Sequence, residues 1–292
     1  MSEHPIASEL ILNADGSVYH INLHPHDIAN TVITVGDPSR VEMVSKYFDA
    51  IEYKGAKREF ITHTGRIGKK RLSVISTGIG TDNIDIVLNE LDQLVNVDLT
   101  NRVRKTNHTT LTLIRLGTSG SICPDLETGS LVLSSGAIGI DNLLHFYQFE
   151  NTAEELDVLR EFHLQCSFPT TIQPYYFSAS NTLINNFGSA YIHGITLTSP
   201  GFYGPQGRQI HASLKIPDLL TKIRQFRYQN RRVTNIEMES AAIYGLSSIL
   251  KHEALSINVL LANRATGQFS ENPMRDVDRM IETSLEVISK MD

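Results

Sequence analysis

Two carboxylates, Glu237 and Glu239, flank Met238 in the stretch NIEMESAAIYG, where a run of small residues begins. Part of this is helix-start chemistry. Thr234 and Glu237 have capping-box spacing, and acids in a first helical turn suit the positive end of the macrodipole. From Met238 onward Ala241, Ala242, Gly245, Leu246, Ile249 and Leu250 keep helical spacing, which predicts one buried stripe. One acid is thereby explained as a helix-start group. The other lies beside a thioether and small residues that let another element approach closely, and is a candidate for pointing into a pocket.

Three further stretches suit an anion: VGDPSR, STGIGTDN and RLGTSGS, each a glycine-containing turn expected after a strand. In open α/β sheets, ligands sit beyond the carboxyl ends of strands, where such turns expose backbone N–H groups. Arg40 closes the first turn, and Arg115 precedes Gly117, Thr118 and Ser119 in the third; Arg58, in KREF, is a third candidate. Guanidinium groups match phosphate oxygens bidentately. In GFYGPQGRQ, Gln206 and Arg208 are one glycine apart. A Gln side chain presents a donor beside an acceptor, which complements the N3–H and carbonyl edge of an imide such as uracil. Arg208 can donate to the second carbonyl, and Phe202 or Tyr203 can stack on a ring. Two other patterns fall away. GIGTDN lacks the third glycine and the distal acid of a dinucleotide fingerprint, and His24, His26 and Asp27 lie where Pro25 and DIANT read as a turn and helix start, with no further metal-ligand set.

The elements that must position these residues are short β-branched runs: TVITV at 31–35, LSVIS at 72–76, TLIRL at 112–116, SLVLS at 130–134 and SINVLLA at 256–262. They read as strands buried on both faces. Helical spacing appears in Val41, Val44 and Phe48; in Val87, Leu88, Leu91, Leu94 and Val95; and in Leu156, Leu159 and Phe162. It returns in Leu219, Leu220, Ile223 and Phe226, and in Val277, Met280, Ile281, Leu285 and Ile288. The expectation is an α/β chain forming one domain over residues 1–292, with a central mixed β-sheet flanked by helices. A polar segment at about 96–110, NVDLTNRVRKTNHTT, reads as a surface loop or hairpin inserted into it.

Composition narrows the function. At 292 residues and 41% hydrophobic content, the chain can bury a sizeable core. A net charge of −6 argues against a general nucleic-acid binder but leaves room for a local basic pocket. Cys123 and Cys166 lie far apart without CxxC spacing, as in a reduced cytoplasmic protein. No apolar run reaches the roughly eighteen residues of a membrane span, and MSEHPIASEL lacks the pattern of a signal segment.

Taken in order, VGDPSR, KREF, STGIG, IRLGTSGSI, FYGPQGR, EMESA and the pair Asn263–Arg264 resemble the nucleoside phosphorylases, and most closely the uridine phosphorylases, over about residues 18–290. The resemblance implies phosphate held by Gly36, Arg40, Arg115 and Thr118, with Arg58 reaching in from a neighbouring subunit. It implies ribose held by Met238 and Glu239, with His20 of the neighbour at the 5′-hydroxyl, and a base read by Gln206, Arg208, Phe202 and Arg264. Arg115, Glu239, Gln206 and Arg208 would then carry phosphorolysis of uridine within a homo-oligomer, with inorganic phosphate as co-substrate and no organic cofactor. The family's purine branches place an Asp after the last strand, where this chain has Asn263 and Arg264; nucleosidase relatives lack the arginine cluster. Potassium would be matched by Glu59, Ile79 and Asn83, with Asn83 departing from the family's serine. A non-catalytic nucleoside-binding protein is the competing reading from another class, and it would have no need of the arginines.

Overall fold

The computed structural model describes residues 7–188 and 191–291. The reading of the N-terminus falls partly on residues 1–6, and the outer domain bounds on 1 and 292, which lie outside the described residues. In chain order, β1 (Thr31–Val35) and α1 (Ser39–Ser45) lead into β2 (Ala50–Lys57), β3 (Phe60–Ile67) and β4 (Lys70–Ser76). Next come α2 (Thr81–Asn96), β5 (Val97–Asp98), β6 (Val103–Arg104), β7 (Thr112–Ser121) and β8 (Leu131–Gly139). Then follow α3 (Ala153–Cys166), β9 (Tyr175–Ser178), α4 (Asn181–Phe187), β10 (Ile192–Thr198), α5 (Leu219–Gln225), β11 (Arg227–Tyr228) and β12 (Arg231–Glu237). The chain ends with α6 (Ser240–Leu250), β13 (Glu253–Asn263), β14 (Gln268–Phe269) and α7 (Pro273–Ile288).

All five apolar runs form strands. The sheet order is β11-β12-β10-β8-β13-β7-β1-β4-β3-β2. Pairing is parallel for β1 with β4 and β7, for β13 with β7, and for β10 with β8 and β12; it is antiparallel for β2–β3–β4 and for β8 with β13. The sheet is therefore mixed. An additional antiparallel pairing of β12 with β7, Asn235 opposite Ser121 and Ile236 opposite Gly120, closes β12-β10-β8-β13-β7 into a ring. Alternation along a strand sends successive side chains to opposite faces. Thus Leu133 and Ala137 of β8 join the larger apolar cluster with α1, α2, α6 and α7. Val132 and Ile138 join a second cluster with Val158 and Phe162 of α3 and Leu219 and Ile223 of α5.

Two local expectations are corrected. RLGTSGS is not a turn, because β7 runs on through Ser121, paired with β13 along its whole length. The Thr234–Glu237 capping box does not form either: both residues lie in β12, and α6 starts at Ser240 with Glu239 at its N-cap. The hairpin β2–β3 was not read from the sequence because β2 is an exposed edge strand with no apolar alternation. The 96–110 segment is a surface hairpin, β5 paired with β6, whose turn is closed by the Asp98 carboxylate accepting from the backbone N–H groups of Thr100 and Asn101.

Candidate active site

A cavity of about 1140 Å³ opens beyond the carboxyl ends of β1, β4, β12 and β13 and runs along the second half of β7. Arg115 lies at its floor, 5% exposed. It points from β7 across Gly117, where a Cβ atom would stand 1.6 Å from its Nη1. The same-face spacing of residues i and i+2 makes this glycine necessary: the missing side chain is the seat of the guanidinium. Arg115 Nη2 donates to Glu239 Oε2 at 2.5 Å and lies 3.2 Å from Glu237 Oε2, while Nη1 donates to Asn258 Oδ1 at 2.6 Å. Burial opposes its charge, but the two carboxylates outweigh burial and raise its pKa. Arg40, in the first turn of α1, also lines the cavity and sends Nη1 towards the carbonyl of Leu116. Burial and the neighbouring Arg115 charge lower its pKa. Gly36 and Thr118 complete this end. The two positive charges oppose one another, and an anion received between them would offset that.

The two acids have separate work. Glu237, the last residue of β12, accepts from Thr198 Oγ1 at 2.6 Å, from Ser240 Oγ at 3.0 Å and from the backbone N–H groups of Glu239 and Ser240 at 3.0 and 2.9 Å. It caps α6 from the preceding strand. Among the described residues Glu239 accepts from two groups, Arg115 and the backbone N–H of Gly80 at 2.7 Å. Gly80 has φ 95°, a left-handed region that glycine enters without strain, and this aims its N–H at the carboxylate. Burial raises the pKa of Glu239, with Arg115 opposing and the Glu237 charge adding to the rise. Met238 lines the cavity between them.

At the far end, Gln206 sits in a 3₁₀ turn, Gly204–Gln206, and is 3% exposed. Its Oε1 accepts from Arg208 Nη1 at 2.6 Å, and its carbonyl accepts from Arg264 Nη1 at 3.0 Å. Arg208 stacks on the Phe202 ring, 3.7 Å from guanidinium carbon to centroid, and donates to the Phe202 carbonyl. Burial, then the Arg264 charge, lowers Arg208 to about 10. These four residues form a flat, donor-rich end against an aromatic face. Asn263 does not present its side chain as an acid or donor for a ligand. Its Nδ2 donates to the carbonyls of Cys123 and Leu126, and its Oδ1 accepts from Ala265 and Thr266 N–H groups, so it fixes the turn after β13.

His20 and Arg58 do not line this cavity. His20 is bound through its backbone N–H and Nδ1 to Glu90, and packs edge-on to Tyr19. Arg58, at the β2–β3 turn with φ 54°, lies 6.0 Å from the same Tyr19 ring. The two thus share one surface outside the cavity. Glu59, Ile79 and Asn83 do line it, with Asn83 Nδ2 donating to Glu59 Oε1 at 3.3 Å. The Asp27 carboxylate closes the expected turn by accepting from the His24 N–H at 2.7 Å, but the helix expected to start there does not form and the chain passes into β1 at Thr31. Asn258, Thr198 and Phe269 were missed by sequence reasoning. Asn258 had a usable signal, a lone amide in the apolar run SINVLLA; Phe269, 64% exposed at the cavity wall, had none.

A sheet closed in this manner, carrying its cavity at the carboxyl ends of the strands, defines an α/β protein of the nucleoside phosphorylase type. The chain belongs to the phosphorylase superfamily, whose family model matches residues 30–291. It is 28% identical over 295 residues to a uridine phosphorylase of Thermococcus kodakarensis, a match covering all of this chain and 94% of that protein. It is also 28% identical over 272 residues to a DeoD-type purine nucleoside phosphorylase of Brevibacillus brevis, covering 91% of this chain and 97% of that one. A solved structure of a Trypanosoma brucei nucleoside phosphorylase that shows uridine phosphorylase activity is similar with a TM-score of 0.88 and 29% identity, over 97% of this chain and 100% of that chain. Membership in the superfamily thus leaves the base to be argued from the cavity.

Proposed function

We propose that the protein is a pentosyltransferase that catalyses the reversible phosphorolysis of uridine to uracil and ribose 1-phosphate, in pyrimidine salvage. One observation carries the reading: a single cavity has the Arg40–Arg115 pair at one end, the hydrogen-bonded Gln206–Arg208 pair at the other, and Glu239 beside the arginines. Those ends fit, in order, a phosphate dianion, a ribose whose hydroxyls donate to Glu239, and a flat imide. Phosphate attacks C1′, the C1′–N1 bond breaks, and its electron pair leaves with the base. The bound dianion stabilises positive charge on the ribosyl ring, while Gln206 and Arg208 stabilise the uracil anion by preorganised hydrogen bonds. Inorganic phosphate is a co-substrate, and the reading includes no organic cofactor. Potassium is not required by it: Asn83 stands where the family has a serine, and its Nδ2 donates to Glu59 Oε1.

Purines are disfavoured because Asn263 is committed to its turn and offers no acid to protonate a leaving purine. The placement of His20 and Arg58 on one surface outside the cavity supports a homo-oligomer in which they enter a neighbour's site. Cytoplasmic residence goes with this chemistry; among the described residues no helix is long and apolar enough to cross a membrane. Incubation with uridine, with and without phosphate, tests the reading by following uracil and ribose 1-phosphate. Uracil release should require phosphate; equal rates in phosphate-free buffer would point to a nucleosidase. Inosine turned over as fast as uridine would reverse the base preference.

A further inference from the structure

β13 carries two amides, Asn263 at its last position and Asn258 at a fully buried position between Ile257 and Val259, which are also fully buried. A polar side chain in such a place costs stability unless its hydrogen bonds are made. In the parallel ladder Asn258 is paired with Gly117 of β7, the residue over which the Arg115 side chain folds. A guanidinium only donates, so Oδ1 of Asn258 must face Arg115 Nη1, at 2.6 Å, and Nδ2 must donate away from it. It does so towards Ser256 Oγ at 3.1 Å and Ser134 Oγ at 3.3 Å. Asn258 itself is not among the cavity's lining residues.

The choice of amide follows from charge. Arg40 and Arg115 balance Glu237 and Glu239 in this cluster, so a third carboxylate would make it net negative and repel an incoming phosphate. A serine would be too short to reach Nη1. We infer that Asn258 is a positioning residue: it holds the Nη1 side of the Arg115 guanidinium without adding charge, against the pull of the two glutamates on Nη2. Without it the guanidinium is held from one side only and tips towards Glu237 and Glu239, away from the anion. The effect falls on phosphate, since Asn258 touches nothing at the Gln206 end. This rests on the reading above that Arg115 meets phosphate.

Asn258→Ala and Asn258→Ser test it, with Ser134→Ala as the control that breaks the same buried network without touching Arg115. Two readouts are taken with inorganic phosphate as probe: the rise in melting temperature with phosphate, which needs no turnover, and KM for phosphate against KM for uridine. Both Asn258 variants should need about tenfold more phosphate for half-effect, the loss expected when one bond to a charged group is removed and others remain. KM for uridine should stay within about twofold, and Ser134→Ala should melt lower but keep the wild-type phosphate dependence. An unchanged phosphate dependence in both Asn258 variants overturns the inference, as does an equal rise in Ser134→Ala. If the wild type is stabilised by phosphate yet does not cleave uridine, the functional reading fails while the melting series still decides the role of Asn258. A wild type that phosphate does not stabilise overturns both.

Discussion

Replacing Glu237 by Gln should cost the protein stability and leave its chemistry nearly intact, while Glu239→Gln should do the reverse. The Glu237 carboxylate accepts from Thr198 Oγ1, Ser240 Oγ and the N–H groups of Glu239 and Ser240, and lies 3.2 Å from Arg115. A Gln side chain offers one acceptor oxygen and an NH₂ that only donates. Its best orientation turns the nitrogen to Thr198, whose hydroxyl can accept it as well as the Ala241 N–H. The bonds at the α6 terminus then go to a neutral oxygen. Each loses roughly 1 kcal/mol, the difference between charged and neutral partners, so about 2 to 4 kcal/mol goes in all. For a chain of this size that is a fall in Tm of roughly 3 to 7 °C. The cavity becomes more positive beside Arg115, so KM for phosphate should hold or fall. Among the described residues Glu239 accepts from Arg115 and Gly80 alone and is buried at a cost to its own ionisation, so its replacement should not lower Tm. Losing a charge-assisted bond to the ribose should lower turnover about ten- to a hundredfold. Thermal melts and steady-state kinetics well below the melting midpoint decide the matter. A Glu237→Gln protein that melts normally but is inactive, or a Glu239→Gln protein that melts early and stays active, refutes this division of roles.

Gly117→Ala places a methyl carbon where Arg115 Nη1 now lies, so the guanidinium must leave its seat; turnover should fall by about 10² to 10³, as in Arg115→Ala. Wild-type rates in the alanine variant would show that the seat is not used. Burial raises the folded-state pKa of Glu239 above the ordinary 4.5, so its contribution to stability is present in full below that pH and is lost as pH rises through the raised value. Melting curves across pH should therefore show the wild type losing stability relative to Glu239→Gln over that window, and a constant difference would count against the shift. Mixing Arg58→Ala and Arg115→Ala proteins, with subunit exchange verified, should restore some activity if the two arginines serve one site from different subunits; none in proven hetero-oligomers would rule that out.

What local sequence determined is what local periodicity reports. TVITV is β1 to the residue, and the apolar spacings beginning at Val87 and Val277 lie within α2 and α7, because burial on one or both faces selects side chains at fixed intervals. The site residues Arg40, Arg115, Gln206 and Arg208 were legible as types suited to anion and imide chemistry, Glu239 was singled out only by the family resemblance, and the cavity collects them all. Their partners were not legible. RLGTSGS has the composition of a turn, yet pairing with β13 draws it into a strand and turns Gly117 into a socket. Glu237 caps a helix from the end of a strand, which no capping pattern along the chain describes. Asn258 and Arg115 are 143 residues apart, and only the register of β13 on β7 brings amide to guanidinium. Periodicity encodes which residues are buried; which of them meet is fixed by strand order and register, which are decided by the packing of the whole sheet.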